Sequence, residues 1–217
     1  MVSATRHKKD RRILNMSVNL VKGQKVNLSK QRYGLSKLMV GLGWDEVQQK
    51  RGLFAPKPQD IDCDAFAILL GYDGHLLNHA TKLTECTVFF NNLRWSNGSI
   101  QHMGDNLTGA GEGDDEQIFV DLNNVPNDVG CIVFAVNIYE AFKRNQHFGM
   151  IRNAFIRVVD YDRGVELCRF NLSENYANQT ALIAGDIIRT PDGWEFRTDG
   201  TAARVESLVD VVSAFAE

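Results

Sequence analysis

Short runs of alternating apolar and polar residues follow one another along this chain, and their period of two predicts β-strands. Residues 181–189 and 194–198 form the clearest pair, because a Pro-Asp-Gly turn separates them. Residues 154–160 and 165–171 form a second pair around a Tyr-Asp-Arg-Gly turn. Many short strands with turns between them predict an all-β protein, a sandwich of two packed antiparallel sheets.

Two further hairpins are predicted in the first half of the chain. Residues 18–20 and 26–28 alternate around Lys-Gly-Gln, and residues 87–90 and 99–102 flank an Asn-Gly dipeptide. Asn-Gly is a strong hairpin signal because both residues tolerate a positive φ. Residues 131–139 are apolar and rich in β-branched side chains, which predicts a central strand.

Two segments depart from the strand pattern. Residues 140–147 are polar and predict a short helical link. Near the end of the chain, apolar residues recur at spacings of three and four, namely Val205, Leu208, Val212 and Phe215. This spacing predicts an amphipathic helix.

The domain organisation follows from these patterns and from the basic start of the chain. We expect a disordered basic extension over residues 1–15, a β-sandwich domain over residues 16–200 and a C-terminal helix over residues 201–217. The pattern shows no internal repeat and no linker of the kind that separates two domains.

Composition narrows the class of protein. The net charge of −3 argues against a general nucleic-acid binder, which needs a basic surface to neutralise phosphates. The four cysteines are far apart in the sequence and form no CxxC pair, so we expect reduced thiols in or near the core of a cytosolic protein. No apolar run is long enough to span a membrane as a helix.

Three aspartates lead into the apolar run of residues 65–70. Asp60, Asp62 and Asp64 alternate with other residues, so on a strand all three would lie on one face. Like charges in this arrangement repel one another, and they either face water at a sheet edge or share a cation. Their position directly before a continuous apolar segment favours the shared cation.

The segment of residues 104–116 contains four glycines, one asparagine and five acidic side chains. Carboxylates this close need water or a cation to neutralise them. Glycines allow backbone conformations that bring carbonyl oxygens close to an ion. A flexible set of oxygen donors is typical of Ca²⁺ sites rather than of Zn²⁺ or copper sites.

This segment is not an EF-hand. Asp105 and Glu116 occupy the first and twelfth positions, but Leu107 and Gly109 occupy the third and fifth ligand positions. A site here would therefore lie on loops of the sandwich and take further ligands from other segments. Asp45 and the three aspartates described above are the obvious sources.

From residue 16 to about residue 198 the chain resembles the TerD family of bacterial tellurium-resistance and general-stress proteins. The resemblance covers most of the chain and is carried by motifs at residues 21–30, 41–45, 60–65, 104–109, 113–116, 148–149, 153–159 and 193–196. It implies a β-sandwich that binds Ca²⁺, with two ions held by the acidic loops. It also implies a cytoplasmic stress role at or near the inner face of the membrane, in association with other tellurium-resistance proteins, one of them a membrane protein.

The predicted function is therefore calcium binding without catalysis in a stress response. The candidate metal ligands are Asp45, Asp60, Asp62, Asp64, Asp105, Asn106, Gly109, Gly111, Gly113, Asp114, Asp115 and Glu116. The glycines would contribute backbone carbonyls, and no catalytic residue and no small-molecule substrate is predicted.

Two alternatives stay open. One is a Ca²⁺-dependent adaptor whose loops bind anionic lipid or an acidic partner. The other is a metal-dependent hydrolase of phosphate esters, for which His102 is the only candidate base near the acidic segment. The remaining histidines lack the spacing of a zinc site and are expected to be surface or hydrogen-bonded residues.

Overall fold

Two six-stranded sheets pack against each other in the computed structural model, which describes residues 17–28, 35–46, 60–104, 113–172 and 176–216. In spatial order, the first sheet contains β1 (Val18–Leu20), β10 (Val165–Asn171), β9 (Ile151–Asp160), β3 (Lys37–Glu46), β7 (Glu116–Asp121) and β6 (Ile100–His102). The second sheet contains β2 (Lys25–Asn27), β12 (Gly193–Ala203), β11 (Ala181–Thr190), β8 (Cys131–Ile138), β4 (Cys63–Leu70) and β5 (Thr87–Val88). The strand pairs are antiparallel except for β1 with β10, which confirms the predicted sandwich.

The helices are short and lie between or after the strands. Those in the described ranges are α1 (Leu83–Cys86), α2 (Ala141–Arg144) and α3 (Leu208–Ser213), with single 3₁₀ turns at Leu77–His79 and Phe148–Met150. The predicted helical link corresponds to α2. None of the helices in the described ranges is long and apolar enough to cross a membrane.

Strand β4 is buried on both faces, which explains why its sequence is continuously apolar. Cys63 and Ala65 belong to the core between the two sheets. Phe66 and Ile68 point to the opposite side, where α3 covers them. The second sheet therefore has a packed inner face and a partly covered outer face, and Asp64 lies on the outer one because side chains alternate along a strand.

The strand pairing predicted for the two early hairpins is wrong, although both turns are present. At the first turn, Gln24 N donates to Val21 O at 3.0 Å and Gly23 has a φ of +78°. The flanking strands nevertheless separate, because β1 pairs with β10 in the first sheet and β2 with β12 in the second. A turn signal shows where the chain reverses, but short edge strands take the partner that the core offers.

The Asn-Gly turn closes a shorter loop than predicted. Gly98 N donates to Trp95 O at 2.7 Å, and an isolated bridge joins Arg94 to Gln101. The predicted partners are separated, because β5 pairs with β4 while β6 pairs with β7. The loop therefore carries the chain from one sheet to the other.

The C-terminal helix is shorter than its pattern suggested. β12 continues to Ala203, beyond the expected boundary at residue 200, and α3 covers only Leu208–Ser213. Its N-terminus has a capping box between Ser207 and Asp210. The predicted apolar face is confirmed, since Leu208 and Val212 are buried against the outer face of the second sheet. The expected basic extension of residues 1–15 lies outside the described residues.

All four cysteines are free thiols in this fold, as expected. Cys63, Cys86 and Cys168 are buried, and Cys131 is partly buried. Burial raises the pKa of the Cys131 thiol and of the Cys168 thiol to about 12. Both thiols are therefore protonated at neutral pH and poor nucleophiles.

These raised thiol pKa values predict a loss of stability in alkaline solution. An unfolded thiol ionises near pH 9.0, so between pH 9 and pH 12 the unfolded state binds fewer protons than the folded state. The free energy of unfolding should fall with rising pH in that window, by up to about 1.4 kcal/mol per pH unit for each such thiol. Urea unfolding at pH 8 and pH 10 measures this fall, and Cys168→Ala should reduce it. An unchanged fall in the variant would contradict the prediction.

Candidate metal centre

The acidic ends of three strands meet at one end of the sandwich. β3 and β7 are antiparallel neighbours with Leu42 opposite Glu116, so the end of β3 lies beside the start of β7. Glu116 Oε2 accepts a hydrogen bond from Ala65 N at 2.5 Å, which joins the start of β7 in the first sheet to the start of β4 in the second. The aspartate segment before β4 and the acidic segment before β7 therefore share one end of the fold.

Glu116 is the buried link between the two sheets. Its side chain is fully buried, and it points inward like Ile118 and Val120 on the same strand. His102 Nε2 lies 3.2 Å from Glu116 Oε2 and 3.1 Å from Ala65 O.

The hydrogen bonds of His102 define its tautomer. Ala65 O can only accept, so Nε2 carries the proton that it donates there, and Gly104 N donates to Nδ1 at 3.3 Å. Both ring nitrogens are thus occupied in a fully buried side chain. His102 is a satisfied core histidine, and the hydrolase alternative loses the base that the sequence offered.

Asp115 lies beside the end of β3. Its Oδ2 accepts from Trp44 N at 2.7 Å, and its own N donates to Leu42 O at 2.8 Å. Burial raises the pKa of the Asp115 carboxyl, the hydrogen bond from Trp44 lowers it, and the Asp45 and Asp114 carboxylates raise it further. The upward direction of the shift comes chiefly from burial, and the two neighbouring carboxylates add to it.

Asp114 has a cation partner within the protein. Arg157 on β9 donates to both carboxylate oxygens, with distances of 2.6 Å from Nε to Oδ1 and 2.9 Å from Nη2 to Oδ2. The carboxylate is fully buried and lies directly over Gly41, where a Cβ atom would collide with it. Glu166 accepts from Arg157 as well, at 3.2 Å.

The three aspartates before and at the start of β4 do not form the expected single row. The strand begins at Cys63, so the period-two argument does not extend to Asp60 and Asp62. Asp62 Oδ2 lies 3.6 Å from Arg144 Nη1 on α2, and its backbone O accepts from Tyr139 N. Asp64 is only 4% exposed and lies on the outer face of the second sheet.

The remaining candidates are at or beyond the edge of the site. Asp45 is exposed on β3, and its Oδ2 accepts from Asn153 Nδ2 at 2.7 Å. Asp60 is partly buried, and its backbone O accepts from Gln146. Gly113 has a φ of +112° three residues before the start of β7. The other four candidates lie outside the described residues: Asp105, Asn106, Gly109 and Gly111.

Carboxylates from both acidic segments act electrostatically on the buried thiol of Cys63. Burial raises the pKa of this thiol well above its ordinary value, and nearby negative charge raises it further. That charge comes, in decreasing order of effect, from Asp64, Glu116, Asp62 and Asp115. The two segments are therefore electrostatically coupled through one place in the core.

The donor chemistry of this end of the sandwich suits a hard cation only in part. Every candidate offers oxygen, which is what Ca²⁺ takes, and the repulsion at Asp115 is what a cation relieves. Asp114 does not suit this role, because Arg157 already neutralises it, and Arg144 partly neutralises Asp62. Among the described residues, no group of three or more acidic, histidine or cysteine side chains is arranged to hold a metal ion.

Sequence reasoning missed the basic partners of the site. Arg157 and Arg144 lie far from the acidic segments along the chain, and nothing in their local pattern marks them as partners of Asp114 and Asp62. An arginine in the middle of a predicted strand is the one signal that could have drawn attention to Arg157, since such a charge needs a partner or water.

The comparisons with known proteins point to one family. The TerD domain model matches residues 16–215. The chain is 44% identical over 204 residues to stress response protein SCP2 of Bacillus subtilis, covering 92% of this chain and all of that protein. It is 41% identical over 207 residues to tellurium resistance protein TerX of Serratia marcescens, covering 89% and 97% of the two chains.

A solved structure supports the fold. The crystal structure of a homologue of telluride resistance protein (TerD) from Streptomyces coelicolor A3(2) superposes with a TM-score of 0.60, at 22% identity, over 81% of this chain and 95% of that one. Together with the family match over nearly the whole sequence, this places the molecule without ambiguity: the chain belongs to the TerD family of tellurium-resistance and stress-response proteins.

Proposed function

We propose that this protein is a calcium-binding stress-response protein of the tellurium-resistance type, which acts by binding and not by catalysis. The observation that carries the proposal is the hydrogen bond from Ala65 N to Glu116 Oε2, which brings the acidic starts of β4 and β7 to one end of the sandwich. The family and the names of the relatives support the stress role.

The residues that would hold the ions come from the three acidic strand ends and the segment between β6 and β7. From the described residues we assign Asp45, Asp60, Asp115, Glu116 and the carbonyl of Gly113, and we leave out Asp64 because it faces the outer side of the second sheet. From the sequence we add Asp105, Asn106, Gly109 and Gly111, which is enough oxygen for the two ions expected. Asp114 and Asp62 are assigned instead to Arg157 and Arg144.

Calcium would supply positive charge where the chain has concentrated negative charge. Each carboxylate that turns toward an ion stops repelling its neighbours, so the folded state gains free energy that the unfolded chain does not. The protein's own part is to hold Glu116 and Asp115 in place through the amides of Ala65 and Trp44. Binding therefore couples to the stability of the sandwich at this end.

Calcium should raise the melting temperature of the full chain. At a free Ca²⁺ concentration of about 100 times Kd, the stabilisation is about 2.7 kcal/mol, or roughly 5 °C or more for a domain of this size. Differential scanning calorimetry with Ca²⁺ and with chelator measures the shift. Equal melting temperatures at millimolar Ca²⁺ would overturn the proposal.

A pair of matched variants tests whether calcium raises the melting temperature by binding at the acidic end of the sandwich. Asp115→Asn keeps an oxygen that can accept from Trp44 N but removes a charge, so it should lose much of the calcium-induced shift. Asp128→Asn makes the same change on an exposed loop near Cys131, at the opposite end of β8 from Ile138 and the acidic cluster. Asp128→Asn should keep the full shift, and a similar loss in both variants would mean that calcium acts by general charge screening.

We also propose a cytoplasmic location and association with other tellurium-resistance proteins. Family membership and the tellurium-resistance names of several relatives support this proposal. Co-purification of the tagged full chain with and without Ca²⁺ tests it, because an association that depends on the ordered acidic end should weaken in chelator.

A further inference from the structure

A cavity of about 450 Å³ lies on the outer face of the second sheet, away from the interface between the sheets. Residues of α2 and α3 line two of its sides, and residues of β4 and β8 form its floor. This volume is within the range of small-molecule sites, which run from about 300 to 1,000 Å³.

Two polar side chains lie on the floor of the cavity. Asp64 and Asn137 are directly opposite each other in the pairing of β4 with β8, and each is 4% exposed. The Oδ1 atom of Asn137 is buried and has no hydrogen-bond partner among the residues that the structure describes. A buried acceptor without a donor costs stability, so this atom indicates a ligand that supplies an N–H or O–H.

Aromatic rings form the walls. Phe90 and Tyr139 meet edge to face with ring centroids 6.4 Å apart, and Phe142 on α2 stands beside them. Tyr139 and Phe142 are more than 40% exposed, so part of each ring is open to solvent. These rings give the cavity apolar surface that a ligand's carbon skeleton can cover.

The rings already attract cationic groups. The guanidinium of Arg144 lies 5.0 Å from the centroid of Tyr139, and that of Arg204 lies 5.3 Å from the centroid of Phe142. Such contacts are favourable because the face of an aromatic ring is negative. The walls therefore suit a positive charge better than a negative one.

The charged residues in and beside the cavity balance formally. The acidic ones are Asp64, Glu140 and Glu206, and the basic ones are Lys143, Arg144 and Arg204. Each basic group already has a contact, since the ammonium of Lys143 lies 2.9 and 3.1 Å from the two oxygens of Glu140 and the two guanidiniums lie against aromatic rings. At the floor, a ligand therefore meets the buried carboxylate of Asp64 and the acceptor of Asn137.

We propose that this cavity binds a small organic cation, a primary ammonium or guanidinium group on an apolar skeleton. The cationic N–H groups donate to Asn137 Oδ1 and to the Asp64 carboxylate, and the skeleton packs against Phe90, Tyr139 and Phe142. The aromatic walls make this cavity unsuitable for a bare metal ion, because such an ion needs oxygen donors on most sides. The inference is separate from calcium binding, because Asp64 faces the outer side of the second sheet and is not among the residues assigned to the ions.

Three matched probes test the charge preference. They share a phenyl ring and a short chain: 2-phenylethylammonium, neutral 2-phenylethanol and anionic 3-phenylpropionate. In ¹H–¹⁵N NMR spectra of the full chain, the ammonium probe should shift the side-chain amide signals of Asn137, both with Ca²⁺ and with chelator. No shift in either buffer, or equal binding of all three probes, would overturn the proposal.

Two variants locate the bound probe. Phe142→Ala removes an exposed wall without touching the core and should weaken binding about twofold to fivefold, the usual range for losing an exposed aromatic contact to a cation. Tyr161→Ala removes a similarly exposed ring from the first sheet and should leave binding unchanged. Equal weakening in the two variants would mean that the probe binds surface aromatics without selection, which contradicts the proposed site.

Discussion

Replacing Glu116 with Ala should lower the free energy of unfolding by about 3 kcal/mol. The substitution removes the acceptor of Ala65 N and one of the two acceptors of His102 Nε2, all inside the core between the sheets. Polar groups left without partners in that environment cost the full free energy of removing them from water. Urea unfolding in the presence of chelator measures the loss free of any contribution from calcium.

Two further substitutions separate the lost hydrogen bonds from other effects. Glu116→Gln keeps an oxygen for Ala65 N, so its cost should be clearly smaller than that of Glu116→Ala. Glu85→Ala makes the same change on the surface, at a side chain that is 50% exposed and lies 3.6 Å from the ammonium of Lys82. It should cost less than about 1 kcal/mol, as is usual for exposed ion pairs. A Glu116→Ala protein as stable as Glu85→Ala would show that the link between the sheets contributes nothing.

Replacing Arg157 with Leu is the second change with a large expected effect, also about 3 kcal/mol. It leaves the fully buried carboxylate of Asp114 without its bidentate partner. The double variant Arg157→Leu with Asp114→Asn should recover a large part of the loss, because the isolated charge is then gone. Urea unfolding of the two single variants and the double variant measures this coupling.

The Arg197–Asp186 pair is the matched control for this prediction. It has the same bidentate geometry, with distances of 2.7 and 2.6 Å, but the arginine side chain is 46% exposed. Arg197→Leu should therefore cost much less than Arg157→Leu. The double variant at positions 114 and 157 should also keep its calcium-induced rise in melting temperature. Loss of that rise would show that Asp114 is a metal ligand.

The parts of the fold that were predictable have strong local signals. The pair of β11 and β12 could be predicted because a tight turn joins two alternating strands, and the burial of β3 and β8 follows from their apolar residues. The partners of β1 and β2 could not be predicted. Each is three residues long, and such a short edge strand contains too little pattern to specify the sheet that accepts it.

The sequence was enough to predict which acidic segments form the candidate site. It was not enough to predict which basic side chains pair with them. Repulsion among carboxylates indicated that the segments before β4 and β7 needed positive charge. The sequence alone offered water or a metal cation as the source of neutralisation and did not point to arginines of the same chain. The structure shows arginines at Asp114 and Asp62, contributed by β9 and α2. Such pairings depend on how distant elements pack together, and the pattern of residues in a single sequence does not specify that packing.

One peptide group in β4 separates two chemically different surfaces. The group that joins Asp64 to Ala65 gives its N–H to Glu116 on the inner side of the sheet, while the Asp64 side chain faces the cavity on the outer side. A calcium ion that fixed the position of Glu116 would therefore act on the same peptide group that carries the Asp64 side chain to the floor of the cavity. Since coupling between two binding equilibria is reciprocal, an organic cation in the cavity would change the affinity for calcium by the same factor as calcium changes the affinity for the cation.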